Sequence, residues 1–160
     1  MKRNSFLRIA ALVCSCFALN SCWLFNGWDH FPDINAEFIV KNETDYPVTL
    51  FRRYYLSFPR ETEAAILPGE QIVFERGLFF RKDKETNEEM FVSVLVGDVR
   101  DDNYTEIRDS AGNVLVRWYP TEALEGFYSS ANWLFFEERE TRKRWTFVIT
   151  DAICGFDEAK

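Results

Sequence analysis

The sequence predicts an all-β fold, a single antiparallel β-sandwich of Ig-like type with about 7–9 strands over residues 36–154. Apolar and polar residues alternate with period two in segment after segment, as half-buried strands require. Turn-forming residues separate these segments at short intervals, Pro68-Gly69 and the Asp109 to Asn113 stretch among them. No stretch carries the period of a long amphipathic helix. With 47% hydrophobic and 17% aromatic residues, the chain is too apolar to stay disordered, and its large rings suit one well-filled core.

Taken in order, Ala36, Phe38 and Val40 share one face of a first strand, and Asn42 to Pro47 turn the chain. Val48 to Tyr55 is the next strand, with Val48, Leu50 and Tyr54 inward, and Pro59 closes that run. Ala65-Ile66-Leu67 leads into Pro68-Gly69, Pro suiting the first and Gly the second central position of a turn. Gln71 to Arg76 leaves it as a strand. From Gly77 to Glu89 the alternation fails and mixed-sign charges gather, which reads as a solvated loop. Met90 to Val96 is apolar on both faces, the mark of a central strand covered on both sides. Tyr104 to Asp109 and Val114 to Tyr119 make a hairpin, with Gly112 supplying the positive φ of its loop. A longer connection follows, with a helical turn expected over Thr121 to Glu125 and stopped at Gly126. Trp133 to Arg139 and Lys143 to Thr150 form the last hairpin, Trp145, Phe147 and Ile149 facing inward. The strand runs on to Cys154, and residues 155–160 are expected to fray.

Ahead of the domain lies an export signal. Lys2, Arg3 and Arg8 form a positive start, and Ile9 to Leu19 an apolar stretch. That stretch is shorter than the roughly 20 residues that span a bilayer. Leu19-Asn20-Ser21-Cys22 then reads as a bacterial lipobox, in which residues 1–21 are cut off and Cys22 carries the lipid, palmitate included. Several acyl chains, each adding about 0.8 kcal/mol per buried CH₂, make such an anchor firm. Residues 22–35 are the tether, rich in rings (Trp23, Phe25, Trp28, Phe31) that suit either packing on the domain or a place at headgroup level. By resemblance to lipoprotein sorting rules, Trp23 where an inner-membrane protein has Asp points to the outer membrane. The lack of acidic residues just after Cys22, over Trp23 to Gly27, points to its periplasmic face.

Charge excludes one large class of function. The formal charge is −7, and loss of the three basic residues of the signal takes it to −10. Such a chain repels phosphate backbones, so nucleic acid is not an expected partner. Of four cysteines, Cys14 and Cys16 lie in the signal and Cys22 is the lipid site, leaving Cys154 as a buried small hydrophobe. With one cysteine and one histidine, His30, no zinc site is expected, nor any other cofactor.

The string Phe38 to Thr44, Ile66 to Glu70, the Asp109 to Trp118 hairpin, Phe127-Tyr128, Asn132-Trp133 and Trp145 to Ile149 resembles small, uncharacterised envelope lipoproteins of Bacteroidetes type. The resemblance covers nearly the whole mature chain and rests on strand and turn motifs. It implies a sandwich and an envelope address, and no catalytic residue.

Candidate sites are few. A histidine-based mechanism needs a base held rigidly by a third group, and His30 lies in the tether. Glu137 and Glu138 adjoin on a strand and so point to opposite faces, which keeps them from flanking one bond. Asp98, Asp101, Asp102 and Asn103 offer the oxygen donors calcium uses, but Arg100 sits among them and such residues also make plain turns. Phe38, Phe74, Trp118, Trp133, Phe135, Trp145 and Phe147 fall on the core period. Tyr55, Phe79, Phe80, Tyr119 and Tyr128 fall off it, and Phe79, Phe80, Tyr119 and Tyr128 are the candidates for an exposed aromatic patch. Asp109-Ser110-Ala111 resembles the short sequence on which Bacteroidetes attach O-glycans, with Ser110 the acceptor, in an expected turn. The resulting expectation is a non-enzymatic lipid-anchored module that binds or scaffolds an envelope protein or a glycan. The alternative is a carboxylate-based enzyme acting on a glycan.

Overall fold

The computed structural model describes residues 34–55, 59–79, 85–96, 100, 102–120 and 125–156, all within the second of two compact units, residues 33–160. The expected signal peptide, Cys22, the expected tether up to residue 33 with His30, Phe80, Asp98, Asp101, the expected turn over 121–124 and the last four residues lie outside the described residues, while Ile34 and Asn35, expected in the tether, already belong to the first strand.

The domain is an all-β sandwich of two four-stranded sheets. Its strands are β1 (Ile34–Asn42), β2 (Val48–Tyr55), β3 (Pro59–Ile66), β4 (Gln71–Phe79), β5 (Tyr104–Arg108), β6 (Val114–Trp118), β7 (Trp133–Arg139) and β8 (Arg142–Ile149). One sheet has the order β4-β1-β8-β7, the other β3-β2-β5-β6. Every neighbouring pair is antiparallel except β1 with β8, which run parallel, so the first and last strands meet at the centre of one sheet.

The alternation seen in the sequence sets the core. Ala36, Phe38 and Val40 of β1 and Trp145, Phe147 and Ile149 of β8 point between the sheets and are buried. Opposite them lie Val48 and Leu50 of β2 and Ile107 of β5. Phe38 stacks on Trp145 with ring centroids 4.9 Å apart, and Phe127 packs edge-on to Trp133 at 5.0 Å. The polar tips of two buried rings are met: Trp133 Nε1 donates to the Phe127 carbonyl at 2.7 Å, and the Tyr128 hydroxyl lies 2.8 Å from Thr105 Oγ1. Asn42 ties the end of β1 to its surroundings. Its Nδ2 donates to the carbonyls of Tyr46 and Ile66, and its Oδ1 accepts from the Thr44 amide and hydroxyl.

Four expectations are corrected. Met90 to Val96 is not a central strand; the segment forms helix α1 (Asn87–Phe91) and a π-helical turn over Val92–Val96. The burial was read rightly and the period wrongly, because a short apolar run fits either. The deciding signal was the capping box just before it: Thr86 Oγ1 accepts from the Glu89 amide, and the Glu89 carboxylate accepts from the Thr86 amide at 2.6 Å. The Thr86 amide first, and then the Thr86 side chain, hold the Glu89 carboxyl below its usual range. Pro59 does not close a run but opens β3, opposite Tyr55, on an edge strand where a missing N–H is tolerated. Gly77 to Phe79 continue β4 rather than entering a loop, and a side chain at Gly77 would overlap Val94 of the π-turn. The last strand ends at Ile149; Thr150 caps a helical turn, α2 (Asp151–Cys154), with its hydroxyl on the Ile153 amide.

Candidate functional site

The outer face of the β3-β2-β5-β6 sheet gathers charged and aromatic side chains in one layer. On β5, Thr105 and Ile107 are buried on the inner side, so Tyr104, Glu106 and Arg108 point out. The register sets Glu106 between Phe51 of β2 and Arg117 of β6, and Tyr104 beside Arg53. The hairpin turn fixes that register. Asp109 Oδ1 accepts from the amides of Ala111 and Asn113 at 2.9 and 2.8 Å, and Oδ2 accepts from the Asn113 side chain. These bonds, the Asn113 side chain first, hold the Asp109 carboxyl below its usual range. Gly112 closes the turn with φ 86°.

At the centre of the layer is a carboxylate clamped by two guanidiniums. Glu106 is 0% exposed although it lies on an outer face. Arg108 donates from Nε at 2.7 Å and from a terminal nitrogen at 2.6 Å to one carboxylate oxygen. Arg117 donates from Nε and a terminal nitrogen to the other. The guanidiniums lie on rings: Arg108 is 3.9 Å above the Phe51 centroid, and Arg117 is 4.7 Å above that of Tyr104. Phe51 and Tyr104 are 5.9 Å apart, and Tyr104 and Tyr119 6.1 Å. The second terminal nitrogen of Arg117 donates to the Tyr119 hydroxyl at 3.3 Å. That bond, then Glu106, raises the Arg117 pKa above its ordinary value. A hydrogen bond with Tyr104 chiefly raises that of Arg53, which also faces Glu61 at 4.0 Å. At the end of the sheet Arg100 lies 5.5 Å from the Tyr55 ring centroid.

This arrangement suits binding. A guanidinium resting on an aromatic face and tied to a carboxylate loses little freedom when it meets a further oxyanion. Both oxygens of the carboxylate are held by arginine.

The structure does not unite the four expected patch residues. Tyr128 is 1% exposed in the core, where burial raises its phenol pKa. Phe79 is half-buried against Gly77 on the other sheet, and Phe80 is outside the described residues. Tyr119 alone of the four lies on the layer, 42% exposed. Tyr55, also off the core period, lies on the same sheet. Phe135, expected in the core, is exposed because β7 is an edge strand, and its ring packs on Trp145 at 4.9 Å. Ser110 sits exposed at the tip of the β5–β6 turn. Cys154 is buried, and desolvation pushes its thiol up to about 11. Glu137 and Glu138 are exposed on β7 and face Lys143 at 4.0 Å and Arg142 at 3.4 Å. Asn103 accepts a bond from the Tyr55 amide at 2.9 Å, a turn residue's role. Among the described residues no group of acidic, histidine or cysteine side chains is placed to hold a metal, and no helix is long and apolar enough to cross a membrane.

The Glu106 triad escaped the sequence reading. The alternation Tyr104-Glu106-Arg108 against Thr105-Ile107 was there to be read, and it puts three of these residues on one face. Phe51 enters only through the β2–β5 register, which no local pattern specifies. No protein-family model matches the chain, and a search of curated proteins gives no match either.

Proposed function

We propose that the protein is a non-enzymatic binding module of the cell envelope. It is anchored by lipid on Cys22 at the periplasmic face of the outer membrane, and it presents the outer face of the β3-β2-β5-β6 sheet to a glycan or protein partner. One observation carries the reading: two arginines, each resting on a ring, are held in fixed forks around the buried Glu106. Such preorganised arginines and rings are what recognition surfaces enrich. The alternative, a carboxylate-based enzyme, finds no support in Glu106, whose two oxygens are each held by arginine.

The test is crosslinking and pull-down from the native envelope with the wild type and with Tyr119→Ala, an exposed change that leaves Glu106 paired. The reading predicts a captured partner that Tyr119→Ala loses; equal capture by both would contradict it. The anchor has its own check. Cys22→Ala should move the protein out of the membrane fraction, and continued fractionation with membranes would sink the lipid assignment.

A further inference from the structure

Resting on the lipid-anchor reading above, we infer that the outer face of the β4-β1-β8-β7 sheet lies on the membrane surface, its apolar side chains among the lipid headgroups and upper acyl chains. The opposite sheet is thereby turned away from the bilayer. The first ground is exposure. The three most exposed large apolar side chains among the described residues, Leu134, Leu78 and Phe136 at 66%, 63% and 59%, all stand on this one face. The register places them there. Phe38 and Val40 of β1 are buried inward, so Asn35, Glu37 and Ile39 point outward. Leu78 lies beside Asn35, and Phe136 lies beside Arg144, the neighbour of Glu37. Leu134, Thr146, Ile39 and Val73 form one row across the sheet, with Val73 exposed at its far end. On the other sheet Phe51 is instead buried beneath Arg108. Exposed apolar side chains gathered on one face mark an interaction surface.

The second ground is reach. The chain enters the domain through β1, a central strand of this sheet and not of the other. Ile34, its first residue, stands twelve residues after Cys22, so a lipid on that cysteine holds the start of β1 within roughly 40 Å of the bilayer. The nine residues of β1 extend roughly 30 Å, so the whole face lies down within that reach. A tether this short keeps the bilayer at high local concentration, and each apolar contact then needs to contribute only modestly.

Charge and spacing agree with lipid. The outward carboxylates of these strands are Glu37 and Glu138, and Arg76, Arg142 and Arg144 surround them. Lys41 is set against Glu43, and Arg139 adjoins Glu140 at the hairpin turn. The face therefore carries no excess of negative charge, although the mature chain stands at −10. Its arginines suit headgroup depth, where the stem rests on apolar surface and the guanidinium meets polar oxygens. Leu134 and Val73 stand three strand spacings apart, roughly 14 Å. Apolar tips so spread suit a fluid lipid surface that moulds around each one, whereas a protein interface is built on a packed apolar centre.

The test uses the full chain, purified from membranes in detergent and reconstituted into phosphatidylcholine vesicles in which a minor share of the lipid carries a nitroxide on its headgroup. Neutral lipid keeps repulsion of the acidic chain out of the measurement. A fluorophore is attached to the new cysteine of Phe136→Cys, of Leu78→Cys, or of Tyr119→Cys on the opposite face. All three positions are exposed, and Cys154 is buried away from the reagent. The nitroxide should remove most of the emission at 136 and 78 and little of it at 119. Leu134→Glu, added to the label at 78, should restore much of that emission, with a melting curve confirming the fold. Quenching at 119 equal to that at 136, no quenching at 136, or no effect of Leu134→Glu would each overturn the proposal. An unquenched label at 136 whose emission changes with the protein-to-lipid ratio would overturn it in favour of a second copy on this face. The anchor reading is scored separately, because a lipidated Cys22 takes no fluorophore. A wild-type chain that labels at Cys22 would overturn that reading and the proposal with it, whereas an unlabelled wild type with no quenching at 136 would overturn the orientation alone.

Discussion

Glu106 on β5 and Glu37 on β1 occupy equivalent places in the two sheets. Each sits on a central strand, on the outer side, with arginines around it from the next strands and, for Glu106, also from its own. They are built differently. Around Glu106 the Arg108 contacts are 2.6 and 2.7 Å, the carboxylate is fully buried, and the guanidiniums rest on Phe51 and Tyr104. Around Glu37, Arg144, Arg76 and Arg142 stand off at 3.5, 3.6 and 3.9 Å, and two of them also serve Glu138. The first is a desolvated, hydrogen-bonded unit whose parts depend on one another. The second is a looser, shared network: Glu37 is itself nearly buried, but Arg76, Arg142 and Arg144 are 65%, 48% and 34% exposed, so each pair is worth about 0–1 kcal/mol. Arginine count alone does not make a site; the aromatic floor beneath the arginines does.

The largest expected effect comes from stripping the tight cluster. Arg108→Met with Arg117→Met leaves Glu106 buried without a partner and should cost about 3 kcal/mol, the low end for a broken buried pair, because Arg117 is itself 41% exposed. Adding Glu106→Met should restore most of that loss. Urea unfolding measures both, and a double variant as stable as wild type would erase the contrast between the sheets. A smaller effect tests the turn that keeps the cluster in register. The Asp109 carboxyl is depressed in the folded state, so its contribution is complete above the unfolded-state value, about 3.9, and is lost as pH falls through the folded one. The stability gap between wild type and Asp109→Ala should therefore be full at neutral pH and close in acid; a gap that does not change with pH would contradict this. The smallest effects belong to the other sheet. Arg76→Met and Arg144→Met should each shift stability by no more than about 0.5 kcal/mol, less still in 1 M salt, where the screening length is about 3 Å.

What was legible from sequence follows the same division between local and long-range information. The alternation of Phe38 and Val40, of Val48 and Leu50, and of Trp145, Phe147 and Ile149 is local, and those faces are where the period placed them. The hairpin closed by Gly112 is local too. Met90 to Val96 is ambiguous in the sequence because a run of six apolar residues around Ser93 fits a buried helix as well as a buried strand, and the Thr86–Glu89 cap looks like loop charge. Phe135 keeps the inward period of β7 yet is exposed, since edge position depends on sheet order. The layer of arginines and rings needs a register between strands some fifty residues apart, joining Phe51 to Glu106.

The central claim, that the β3-β2-β5-β6 face and not its counterpart meets the partner, is tested most directly by photo-crosslinking in intact cell envelopes. A benzophenone amino acid is installed in place of Tyr119 on one face or of Phe136 on the other, side chains 42% and 59% exposed. The structure predicts adducts from position 119 and none from 136, despite the greater exposure of Phe136. Adducts from 136 alone would contradict the account.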